Sequence, residues 1–123
     1  MTEFPRYFMK KPVTIRAIRW RGTNLEAVQQ FCQDPKLPNT QLFLETPINS
    51  ENEKEEFPTT AMVWDILHDT WVGVKSGQWV IQGLKGEFYP CDTEVFQESY
   101  DEVAPNSHRV SLLNDQSTQL KTA

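Results

Sequence analysis

Cysteine is scarce in this chain of 123 residues, with Cys32 and Cys91 the only two. Two are too few for a disulfide framework or for a zinc site built on cysteine, so both read as reduced thiols. Histidine is equally sparse. Neither His68 nor His108 has a Glu or a second His three or four residues away, so no zincin-like motif is present and no metal is expected. No stretch approaches the roughly 20 apolar residues of a membrane span. The N-terminus, MTEFPRYFMKKP, has no apolar core of signal-peptide length. The expectation is a cytoplasmic protein with no membrane contact. Also missing are a Gly-x-Gly-x-x-Gly loop, a phosphate loop and a Gly-x-Ser-x-Gly elbow, so nucleotide hydrolysis and esterase chemistry lack their landmarks. No catalytic residue and no cofactor are assigned, and no internal repeat is evident.

What the chain does have is apolar and aromatic mass. Hydrophobic residues make up 38%, charged residues 24%, and there are seven Phe, four Trp and three Tyr. This composition belongs to a folded globular domain, and the length suits one core. A domain of this size buries roughly two-thirds of its extended-chain surface. The net charge of -5 is unevenly spread: residues 1–36 carry seven Lys and Arg against three Asp and Glu, and the remainder carries five against fourteen. The basic end suits an anionic partner, although a solvated surface explains it equally. Domains that bind double-stranded nucleic acid are usually basic overall, which this one is not.

The β-branched run Val13 to Trp20 predicts a first strand after Pro12. Its alternation slips between Ala17 and Ile18, which implies either a bulge or two covered faces. Thr23-Asn24-Leu25-Glu26 matches a capping box, and Leu25, Val28, Phe31 and Cys32 then recur at helical spacing up to Asp34-Pro35. A short strand is expected at Leu42-Phe43-Leu44. The acidic stretch 49–57, with Glu51, Glu53, Glu55 and Glu56, reads as a surface loop; Glu53, Glu55 and Glu56 are candidate partner contacts. Further strands are expected at Met62 to Leu67, Trp71 to Lys75, Gln78 to Gln82 and Glu87 to Tyr89. Ser76-Gly77 would make a two-residue hairpin, and Pro90 would end the last strand. Asp92 or Thr93 caps a final helix to about Val103, with Phe96 and Tyr100 on one face. The fold class expected is α+β, a small mainly antiparallel β-meander with two helices packed on one face, spanning 1–103, followed by a flexible tail at 104–123.

Two constellations bear on chemistry. Arg16, Arg19, Arg21 and Lys85 beside Trp20 and the other strand tryptophans combine cations with aromatic rings, which is the outline of a face that stacks a base and neutralises phosphate. Core packing explains the tryptophans Trp20, Trp64, Trp71 and Trp79 without a ligand. Cys91, at a helix entrance, has the position of a nucleophile, but the neighbouring Asp92 opposes its ionisation, so a structural cysteine is the better reading. The edges of the sheet offer a third possibility, strand addition or docking by a partner protein.

Two segments, Lys11 to Asn24 and Gly83 to Cys91 with Phe96 and Tyr100, resemble a family of small bacteriophage and prophage proteins of unknown function. In that family a Lys-Pro-Val strand precedes a short helix, and a Gly-Glu-Phe-Tyr-Pro-Cys segment leads into the last helix. The likeness covers residues 10–103. Members commonly have Pro-Gly-Asp before the penultimate strand, where this chain has Lys75-Ser76-Gly77-Gln78, and Glu in place of Arg16. The resemblance implies an accessory protein in the host-cell cytoplasm that binds and modulates a host protein. It allows two alternatives, a trap for a phosphorylated nucleotide or a virion-associated component. Glu87, Tyr89 and Cys91 are the matched positions at which a ligand site is expected; Glu87 and Tyr89 join Arg16, Arg19, Trp20 and Lys85 as candidate ligand residues.

Overall fold

A computed structural model describes residues 3–48 and 52–105. The chain divides into two compact units, Ile15–Asp101 and the terminal segments Met1–Thr14 with Glu102–Ala123. In the terminal unit, Arg6 pairs with Glu3 at 3.4 Å and lies 5.4 Å over the ring of Phe8, while Phe4, Tyr7, Phe8 and Met9 are exposed. The tail expected at 104–123 lies almost wholly outside the described residues, as do Glu51 and His108.

The unit Ile15–Asp101 is α+β, as expected. Its elements are β1 (Arg16–Arg19), α1 (Leu25–Phe31), β2 (Phe43–Glu45), β3 (Thr59–Asp65), β4 (Thr70–Lys75), β5 (Trp79–Gln82), β6 (Phe88–Cys91) and α2 (Thr93–Ser99). Every strand pair is antiparallel, but the strands are shared between two three-stranded sheets, β1-β5-β6 and β2-β3-β4. The break falls at Ser76-Gly77. A tight turn does form there, closed by the Gln78 N–H on the Lys75 carbonyl at 3.0 Å, with Gly77 at φ +98°. The strands it joins nevertheless enter different sheets, because Trp20 exchanges backbone hydrogen bonds with Gly77 and Gln78 and extends the β1–β5 pairing to the corner. With β1 on one edge of β5 and β6 on the other, no edge is left for β4.

The core is formed by Trp20, Val28, Cys32, Leu42, Phe43, Ala61, Val63, Val74, Val80 and Phe88, all buried. Trp20 meets Phe43 edge-to-face at 5.1 Å and Phe31 meets Phe88 at 5.5 Å, geometries that suit aromatic quadrupoles. Both faces of β1 are only partly covered, and its ladder with β5 runs without a bulge. The helices use different surfaces. Val28 of α1 enters the core beside Val80, whereas Phe96 of α2 stacks on Trp79 at 4.3 Å and 8°; Trp79 and Val80 are consecutive in β5 and so point to opposite faces.

Three local expectations are corrected. Helix α1 begins at Leu25 with Asn24 as N-cap, so the capping box headed by Thr23 does not form. The Asn24 side chain instead accepts the Arg21 N–H and donates to the Arg19 carbonyl, both at 2.9 Å, bracing the strand-to-helix loop. Pro90 does not end β6 but lies within it, opposite Val80; β6 is an edge strand, where a missing N–H is tolerated. Helix α2 stops at Ser99, with Tyr100 already extended, and leaves Val103 exposed.

Candidate functional site

The residues expected to form one ligand face are distributed over several places. Trp20 is fully buried, and its Nε1–H donates to Thr60 Oγ1 at 2.9 Å, so its ring offers no stacking surface to a ligand. Arg16 and Arg19 are three residues apart in a strand and therefore face opposite sides of it. Arg16 lies 5.0 Å over the Phe31 ring and donates to Gln82 Oε1 at 3.3 Å; this pair walls an amide-rich groove of about 790 Å³ that also contains Gln30, Gln33 and Asp34. Arg19 is turned to the β4–β5 corner, where its Nε–H donates to the Gly77 carbonyl at 3.1 Å beside a second donor, Thr93 Oγ1. Its role is to hold that corner.

Lys85 sits in the tight β5–β6 connection, and its side chain is exposed. Glu87 folds its carboxylate back over the same turn and accepts the Lys85 backbone N–H at 3.0 Å. The fit is close: a Cβ on Gly83 would lie 2.2 Å from Glu87 Oε2. Glu87 thus stabilises the turn rather than reaching outward.

Tyr89 and Cys91 alternate with Pro90 and so share the face of β6 that α2 covers. There Phe96 and Tyr100 lie 5.1 Å apart, and Phe96 is stacked on Trp79. Burial, then the neighbouring Tyr100 phenol, push the Tyr89 hydroxyl up to about 12. The Cys91 thiol is likewise raised, by burial and then by the charge of Asp92. A nucleophilic cysteine needs the opposite shift, toward thiolate at neutral pH. Cys32 is pushed up to about 12 by burial alone. His68 stands in the turn between β3 and β4 with Nδ1 2.7 Å from Asp65 Oδ2; that contact, with the backbone N–H groups of Leu67 and His68, holds the Asp65 carboxyl below its ordinary value. Among the described residues no three His, Cys, Asp or Glu side chains are grouped to hold a metal ion, and no helix is long and apolar enough to cross a membrane.

The surface that emerges belongs to the second sheet. Phe43, Val63 and Val72 are in register and point to the core, so Leu44, Met62 and Trp71 alternate to the opposite face, where Trp64 pairs with Trp71 while also packing against the edge of the core cluster. Trp64 and Trp71 are a cross-strand pair, edge-to-face at 5.4 Å and half-buried; Leu44 is exposed. The turn at the end of this hairpin adds exposed Ile66 and Leu67. Connecting β2 to β3, the acidic loop places Glu53, Glu55 and Glu56 in solvent together with Phe57. Alternation in the sequence marks the two tryptophans as strand residues, but only the register says which way they face. No family model, no curated protein and no solved structure matches this chain.

Proposed function

We propose that this is a small accessory protein, of the phage type its sequence resembles, that acts by binding and modulating a host protein. The observation that carries the reading is the outer face of β2-β3-β4, where exposed Leu44 and half-buried Met62 and Trp71 stand in register beside the Trp64–Trp71 pair, on a sheet whose β2–β3 connection is the exposed acidic loop. Tryptophan is over-represented among the side chains that dominate binding energy, and contiguous apolar patches rimmed by charge are the usual mark of a docking surface. The fitting partner has an apolar ridge flanked by basic residues. Acidic charge at the rim speeds encounter with such a surface and makes it salt-sensitive.

The test compares capture from host lysate by three proteins: the native chain, Leu44→Asp combined with Trp71→Ala, and the triple reversal of Glu53, Glu55 and Glu56 to Lys. Far-ultraviolet circular dichroism confirms that each is folded. A stoichiometric host protein retained by the native chain, lost with the face variant and weakened by the loop variant, is the expected outcome. Retention of no host protein, or equal retention by all three, overturns the reading.

A further inference from the structure

At one end of the unit, the loop after β1, the end of β2, the start of β3 and the β4–β5 corner enclose a cleft of about 570 Å³. That volume lies within the range of small-molecule sites, about 300–1,000 Å³. Its polar lining is Arg21, Thr23, Glu45, Thr46, Thr60 and Ser76. Among the described residues the Arg21 guanidinium makes no ion pair and no hydrogen bond, and the Glu45 carboxylate is likewise unpaired. Two opposite charges therefore line one cleft without neutralising each other.

The hydroxyls form a chain that ends at the cleft. Trp20 Nε1–H donates to Thr60 Oγ1 at 2.9 Å, and Thr60 Oγ1 lies 2.8 Å from Ser76 Oγ. Either hydroxyl can donate in that contact, so Ser76 Oγ can present a hydrogen or a lone pair to the cleft. Gly22 leaves the space above it: a Cβ there would lie 2.8 Å from Ser76 Oγ, and its φ of +86° suits glycine. In the same wall Thr46 Oγ1 is buried with no hydrogen-bond partner.

We propose that this cleft is a binding site for a phosphate ester of a small polyhydroxyl compound, a sugar phosphate. The phosphoryl oxygens meet Arg21 and the hydroxyls of Ser76 and Thr23, donors that match a multiply charged oxyanion. Glu45 repels a bare anion, and its place in the lining is accounted for by the ligand's own hydroxyls, which donate to it. The lining offers hydroxyls and a carboxylate and no aromatic ring, a surface suited to the hydrogen-bonding groups of a sugar. The site is separate from the tryptophan-bearing sheet face and does not depend on a protein partner.

The probes are glucose 6-phosphate, glucose and inorganic phosphate, followed by amide chemical shifts and calorimetry on the full chain. Glucose 6-phosphate is expected to bind saturably, shifting the amides of Gly22, Thr23 and Ser76; inorganic phosphate binds more weakly and glucose not at all. R21Q, an exposed change that leaves the remaining amide spectrum in place, weakens the phosphate ester about tenfold or more. E45Q weakens the ester but not inorganic phosphate. The inference is overturned if glucose 6-phosphate at millimolar concentration shifts none of these amides, if R21Q binds it as well as the native chain does, or if phosphate and the ester bind equally, which would mean an adventitious ion only.

Discussion

Glu87 shows how far a single side chain's role depends on its neighbours. In the sequence it is an acidic residue beside Gly86 in a turn, open to a ligand role. In the fold its carboxylate occupies the space over Gly83 and accepts the Lys85 backbone N–H, and the turn is closed by the Gly83 N–H on the Glu87 carbonyl at 2.7 Å. Gly83→Ala must therefore displace the carboxylate. The expected cost is about 1–2 kcal/mol in chemical denaturation, the value of one charge-assisted hydrogen bond. Made in a Glu87→Ala background, the same substitution should cost much less, because the atom it collides with is gone. Equal costs in both backgrounds would show that the carboxylate does not occupy the turn. Arg19 carries the same lesson: its charge was legible, but its engagement with the Gly77 carbonyl depends on a chain segment 58 residues away.

At the scale of the element, α2 is attached in an unusual way. None of its residues is fully buried, and it holds to the sheet through Phe96 stacked on Trp79, Tyr100 beside Phe96, and Thr93 on the Gly77 carbonyl. The pairing of Phe96 and Tyr100 four residues apart was readable from the sequence, whereas the face they cover was not. Tyr89 is the titratable reporter of this packing. Its hydroxyl is held up to about 12 from an ordinary 10.0, so the folded protein retains a proton that the unfolded chain gives up first. Its contribution to stability is thus complete below pH 10 and is lost as pH rises through 10 toward 12. Tyr89→Phe should flatten the loss of stability over that interval, measured as the denaturation midpoint at pH 9, 10 and 11. An unchanged slope in the variant would show that Tyr89 is not buried against Tyr100. The last strand teaches a related point: Pro90 looks like a terminator, but on an edge its missing N–H is tolerated and the ladder continues to Cys91.

At the scale of the whole molecule, the two thiols measure how closely the core excludes water. Cys32 is 1% exposed and pushed up to about 12, while Cys91 is half-buried and raised by burial and then by the charge of Asp92. A thiol reagent at pH 8 should therefore modify Cys91 slowly, and Cys32 only at the rate of unfolding. Mass spectrometry of the partly labelled protein distinguishes the two sites, and early labelling of Cys32 would contradict a closed core.

Local pattern settled much of this protein before any tertiary contact: the α+β class, the apolar stripe of α1, and most strand positions follow from side-chain periodicity and turn chemistry, which act over a few residues. Partnership between strands was beyond its reach. That β4 leaves β5 at Ser76-Gly77 depends on Trp20 claiming the β5 edge from 58 residues upstream, measured to Gln78. The same long-range pairing buries Trp20, and the separate pairing of β3 with β4 sets Trp64 beside Trp71, because alternation along a strand says that two faces exist but not which of them the rest of the chain will cover.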